Sequence, residues 1–201
     1  MRKHMAFFRL IAKSVLPVFA ACLVIMTAVE VFLFWHTAGR MDFEKRMLTD
    51  LIDESHISFV FIVAVFALYL LLCLSQDSFA GRQDYTLHRL VLRGRSIFFW
   101  QFMFSAFCYF ILWAVQAWVA FFLCRWFLHE TDAAWINGQT LMLTFYQNEF
   151  LHHTMPLSDT MGWFREIMIF LSMAFSAAVI RYNIMMRRNH RGKEETPCEN
   201  I

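Results

Sequence analysis

The sequence predicts an all-α protein: an integral membrane bundle of four transmembrane helices, with a short cytoplasmic amphipathic helix and an outer interfacial or re-entrant segment. Three observations predict it. Hydrophobic residues make up 59% of the 201 positions, where soluble domains sit at about 45–50%. Charged residues are 17%, against about 25% in a typical soluble chain. Glycine (6) and proline (3) are too scarce for the many turns of a β-barrel. A net charge of +2 lacks the electrostatic footprint of a nucleic-acid binder.

Each span follows from length and charge. Crossing roughly 30 Å of hydrocarbon takes about 20 mostly apolar residues. Residues 14–35 form the first span, free of charge except for Glu30 near its outer end. Residues 57–76 carry no charge and contain FVFIVAVFALYLLLCL, the second span. Residues 96–124 are uncharged throughout and lack Gly and Pro. They are too long for one upright helix and too short for two, so the third span tilts or protrudes. The fourth, at about 163–186, has an uncharged centre of only 14 residues between Glu166 and Arg181, whose charges must snorkel to the interfaces. Residues 1–186 are thus one transmembrane domain and 187–201 a disordered cytoplasmic tail. Arg2, Lys3, Arg9 and Lys13 ahead of an apolar run resemble a signal peptide, and Phe19–Cys22 a lipoprotein cleavage site. The apolar run continues past Cys22, so a retained span is expected.

Charge sets the orientation. Thirteen of the eighteen Lys and Arg residues fall before span one, in 77–95 or from Arg181 onward, and five fall in the two alternate loops. The positive-inside rule then places both termini and the loop 77–95 in the cytoplasm of a multi-pass cell-membrane protein. Trp35, Trp126 and Trp163 fall at outer boundaries and Trp100 at an inner one, as an aromatic belt requires.

The candidate chemistry is sparse. Glu30, Gln101 and Gln116 are the candidate intramembrane polar residues. An ionisable residue there is a functional candidate. Glu30 lies close to Trp35 and His36, however, and the expectation is an acid that reaches water or a neighbouring polar group at the outer interface. Gln101 and Gln116 are expected to hydrogen-bond between helices. Ser172/Ser176 and Ala174/Ala178 recur at i, i+4, which marks a closely packed helix face. The five cysteines have no metal or disulfide spacing. The C-terminal CENI is not a prenylation box, because its middle pair is not aliphatic. Asp53-Glu-Ser-His56 and Glu149-Phe-Leu-His152 place a carboxylate and a histidine on one helix face, but the further acids of a di-metal site are missing. P-loop, H-E-x-x-H and G-x-S-x-G motifs are absent. No enzyme activity, cofactor, metal or nucleic-acid partner is expected; membrane lipid is.

Two segments between spans carry more. Gln139–Leu157 is more apolar than a solvated loop. Leu141, Phe145 and Asn148 form one helix-spaced set and Leu143, Tyr146 and Phe150 another, with Pro156 placed to end the helix. It either lies in the interface or enters the outer leaflet and returns, or it caps the bundle. In the cytoplasmic loop, Tyr85 to about Leu92 reads as a short basic amphipathic helix, with Leu87, Leu90 and Val91 on one face and His88, Arg89 and Arg93 elsewhere. Such a helix lies on anionic lipid or docks into a cytosolic partner.

A span, then DSFAGRQDYTLHRL, then basic residues, then the aromatic span SIFFWQFMFSAFCYFILWAVQAWVAFFLC resembles the ABC-2 type exporter permeases. The likeness covers about residues 57–128 and the layout of 139–186. It implies that Tyr85, Leu87, Arg89, Leu90 and Arg93 belong to a coupling helix that docks on a cytosolic ATP-binding subunit. It also implies a re-entrant character for 139–157. That family has six spans and this chain four, so the resemblance implies a shortened relative that works with another membrane subunit or as a homodimer. The alternative is a non-transporting scaffold, regulatory or accessory subunit.

The charge asymmetry predicts that a chain retaining only Cys198 reacts with an impermeant thiol reagent only after cells are opened. A chain whose sole cysteine replaces Gly138 reacts in intact cells. Equal reactivity from outside overturns the orientation.

Overall fold

The computed structural model describes residues 2–40, 48–74, 94–130, 138–156 and 159–194, and those residues form helices, turns and short connections without a strand. The helices are α1 (Arg2–Ala38), α2 (Leu48–Glu54), α3 (Ile57–Leu74), α4 (Gly94–Glu130), α5 (Gly138–Gln147), α6 (Glu149–Thr154) and α7 (Thr160–Glu194). Four of them are long and apolar enough to cross a membrane: Ile11–Ala38, Ile57–Leu74, Gly94–His129 and Thr160–Arg187.

Ring contacts give their directions. Phe8 of α1 meets Trp100 and Phe104 at one end of α4, and Phe34 meets Trp126 and Phe127 at the other, so α1 and α4 run parallel. Helix α7 runs against α4, with Trp163 on Trp113, Phe170 on Tyr109 and Tyr182 on Phe98. Helix α3 runs alongside α7, where Tyr69 Oη and Ser176 Oγ share a 2.8 Å hydrogen bond. Successive spans therefore alternate, as four consecutive crossings require. The inner core comes from all four: Phe19 and Met26, Leu68 and Leu72, Phe104 and Leu112, Ala174 and Ala177. Their outer faces carry exposed rings such as Phe59, Phe66, Phe107 and Phe164, the surface a bilayer covers.

The spans are unequal. Helix α3 has 18 residues and α4 has 37, which at about 1.5 Å per residue is roughly 27 Å against 55 Å. Trp163, near the start of α7, meets Trp113 in the middle of α4. The C-terminal part of α4 therefore protrudes beyond its neighbours, as the length of 96–124 implied, and that of α1 accompanies it. Helices α2, α5 and α6 pack on this excess and build a second core of Phe34, Leu51, Leu123, Phe127, Phe145 and Leu151.

The outer segment thus caps the bundle. Of its two helix-spaced sets, Phe145 and Asn148 are buried while Leu143 and Tyr146 are exposed. It is not one helix ended by Pro156. Asn148 breaks it: its backbone is extended, its side chain accepts from Leu151 N at 3.1 Å as the cap of α6, and its Nδ2 donates to Asp53 Oδ1 at 2.9 Å. Trp113 Nε1 donates to the Thr154 carbonyl at 2.9 Å, which ties the end of α6 to mid-α4. Between α2 and α3 the chain turns at His56, whose φ of 53° is the left-handed conformation in which a helix commonly ends. At the other terminus α7 runs to Glu194, past residue 187 where a disordered tail was expected.

Asn148→Ala removes a cap and leaves Asp53 without its donor. It should lower stability by about 1–3 kcal/mol, read as an earlier thermal unfolding in detergent. An unchanged midpoint would show that the cap does not depend on this residue.

Candidate functional site

The two apolar cores meet at a polar layer. On α1, Met26 belongs to the inner core and Phe34 to the outer one, and Glu30 lies between them at the i, i+4, i+8 spacing of one helix face. On α4, Leu112 belongs to the inner core and Ala120 to the outer, with Gln116 midway. Glu30 and Gln116 are both fully buried, at 0% exposure. The amide lies within reach of the carboxyl, yet neither carboxyl oxygen and neither amide atom has a hydrogen bond of normal geometry. Of the two expectations for Glu30, water at the interface is corrected by its full burial, and the neighbouring polar group is Gln116. The protruding ends of α1 and α4, with the cap over them, enclose a position that hydropathy alone leaves at the rim. Gln116 lies across the α1–α4 contact from Glu30, the interhelical partner that its position predicts.

The same face of α4 continues inward through Leu112 to Tyr109, Ser105 and Gln101. The Tyr109 hydroxyl, Ser105 Oγ and Gln101 Oε1 are all buried without a hydrogen-bond partner. Helical periodicity explains the alignment, since steps of three and four residues keep these positions on one stripe.

At the inner end Arg181 overturns a second expectation. It is 3% exposed and donates its Nε to the carbonyl of Leu72 instead of snorkelling to the interface. Leu72 lies in the last turn of α3, where carbonyls lack intrahelical partners and carry the negative end of the helix dipole. Cys73 and Cys108 lie within electrostatic reach of the guanidinium, and both are free thiols. The next residue of α7, Tyr182, packs on Phe98, and its hydroxyl stands where α4 begins: a Cβ on Gly94 would lie 2.8 Å from it. Adjacent residues of α7 thus hold the end of α3 and the start of α4.

The small-residue pairs of α7 divide. Ala174 and Ala178 are fully buried, Ser176 bonds Tyr69, and Ser172 is exposed and donates to its own helix at the Met168 carbonyl. Neither carboxylate-x-x-His pair forms a ligand set. Asp53 is engaged by Asn148, His56 makes the turn, and His152 packs on Tyr146. Among the described residues no three His, Cys, Asp or Glu side chains converge on one point. His153 accepts from Arg165 Nη2 at 2.7 Å and lies 3.9 Å from Glu166, joining α6 to α7. Glu166 therefore meets a partner on the cap. The sequence reading missed this link, and only the histidine pair 152–153 hinted at it. Tyr85, Leu87, Arg89, Leu90 and Arg93 lie outside the described residues.

No protein-family model, curated protein or solved structure matches this chain.

A buried polar atom without a partner is costly, and replacing it by an apolar group is neutral or stabilising. Ser105→Ala should therefore raise thermal stability in detergent, by up to about 1–3 kcal/mol. A clear loss of stability would show that the hydroxyl has a partner in the folded protein.

Proposed function

We propose that this chain is a permease-like transmembrane subunit of an ABC-type exporter in the cell membrane, with both termini cytoplasmic and a separate ATP-binding chain as its partner. The observation that carries the reading is how the flanks of segment 75–93 are held. Arg181 binds the Leu72 carbonyl and Tyr182 abuts Gly94 and Phe98. A cytosolic subunit that moves the segment pulls on neighbouring residues of one helix, α7. That helix packs more extensively on α4 than any other pair of elements in the bundle packs. The resemblance of DYTLHRL to a coupling helix supports the same reading.

One observation favours the second reading, a non-transporting scaffold or accessory subunit. Tyr109, Leu112, Leu68 and Ala174 fill the inner core to 0% exposure. In the exporter reading the pathway accordingly runs between this chain and another membrane subunit or a second copy of it.

The test is co-purification in mild detergent. The wild-type chain should bring down a nucleotide-binding subunit. Leu87→Asp should cost about 2 kcal/mol or more of association if Leu87 is a buried anchor. Arg89→Glu should weaken recovery and reduce its salt sensitivity. If wild type recovers no such subunit, or both variants retain it fully, the exporter reading fails and the accessory reading replaces it.

A further inference from the structure

The layer between the two cores holds four polar atoms on two side chains within reach of one another: Glu30 Oε1 and Oε2, and Gln116 Oε1 and Nε2. All are buried and none has a partner. Their donors and acceptors do not match as they stand. An ionised carboxylate only accepts, so it can take the amide N–H, but Gln116 Oε1 then faces a negative charge with nothing to accept. One added proton changes the count. The acid O–H donates to Gln116 Oε1, the amide N–H donates to the remaining acid oxygen, and a closed acid–amide pair with two hydrogen bonds results. We propose that Glu30 and Gln116 form a proton-binding site at the seam between the transmembrane core and its outer cap.

The surroundings support a proton over another cation. A metal ion asks for several oxygen ligands, and among the described residues no group of three His, Cys, Asp or Glu side chains forms around Glu30 or elsewhere. Neighbouring elements keep their charges elsewhere. On α1, His36 is exposed and stacks on Phe32. On α2, Asp50, Asp53 and Glu54 are exposed, as are Arg125 and His129 of α4. Glu149 and His153 of α6 and Arg165 of α7 are exposed, Glu166 turns to His153, and His152 packs on Tyr146. Helix α3 carries no charge, and Arg181 is engaged at the inner end. Uptake is a simple transfer: hydronium gives its proton to a carboxylate oxygen and leaves as water. Because Glu30 sits between Met26 and Phe34 on one face, gain of that proton adds a second hydrogen bond to the polar link between α1 and α4, and its loss removes that bond. The site stands whether or not the chain serves an exporter.

Infrared spectroscopy of the full chain in phosphatidylcholine vesicles tests it. The difference between wild type and Glu30→Gln should contain the C=O stretch of a protonated carboxyl, lost as pH rises. Gln116→Leu should shift that band to higher frequency, because the acid carbonyl loses its donor. Circular dichroism on each variant checks that the helices persist, and the wild-type band should shift in heavy water independently of any variant. Absence of the band at every pH where wild type stays helical overturns the proposal. So does a band that Gln116→Leu leaves unmoved, or one that sodium ions remove at constant pH.

Discussion

A membrane-crossing helix longer than the hydrocarbon needs something other than lipid to cover its excess, and this constraint organises the molecule. Helices α1 and α4 each have 37 residues, while α3 has 18. The long pair runs parallel and stays in contact as far as the stacked rings of Trp35 and Trp126. Beyond the starts of α3 and α7 the pair has lost two of its packing neighbours. Helices α2, α5 and α6 replace them, and Phe145 and Leu151 fill the positions that spanning helices occupy further in. The cap is thus a continuation of the bundle's packing by shorter pieces of chain. Its own backbone is satisfied locally, by the turn at His56 and by Asn148, and at depth by Trp113.

The polar layer is a consequence of the same geometry. Where four-helix packing gives way to cap packing, the seam lies between Leu112 and Ala120 on α4 and between Met26 and Phe34 on α1. A buried acid beside a buried amide occupies this seam at a cost in stability, because neither has a hydrogen bond of normal geometry. The unpartnered groups at Gln101, Ser105 and Tyr109 extend this polar character along α4.

What the sequence reveals and what it hides follow from which physics each level obeys. The spans, their alternation and the length mismatch come from composition summed over some twenty residues, and such sums tolerate local error. The inward turn of Phe145 and Asn148 is likewise written in helical spacing. Single polar side chains are different. Glu30 looks like a rim residue because hydropathy counts distance along one helix and knows nothing of a cap folded over it. Arg181 looks like a snorkelling end because the carbonyl that receives it belongs to α3, more than a hundred residues earlier in the chain. The Arg165–His153 contact is hidden for the same reason. In each case the deciding partner lies on another helix, and no local pattern carries it.

The inner end has its own logic. A carbonyl in the last turn of α3 needs a donor, and in an apolar bundle water is not at hand to supply one. Arg181 supplies it from α7. The guanidinium keeps its charge near the negative end of the α3 dipole, which offsets part of the cost of burial. Tyr182, the next residue, then has its ring committed to Phe98 and its hydroxyl to the space that Gly94 leaves free. Arg181 and Tyr182 are neighbours on one helix, so a rotation of α7 moves both contacts together. The end of α3 and the start of α4 are therefore coupled through α7, and through Ala174 and Ala177 that coupling reaches the centre of the inner core.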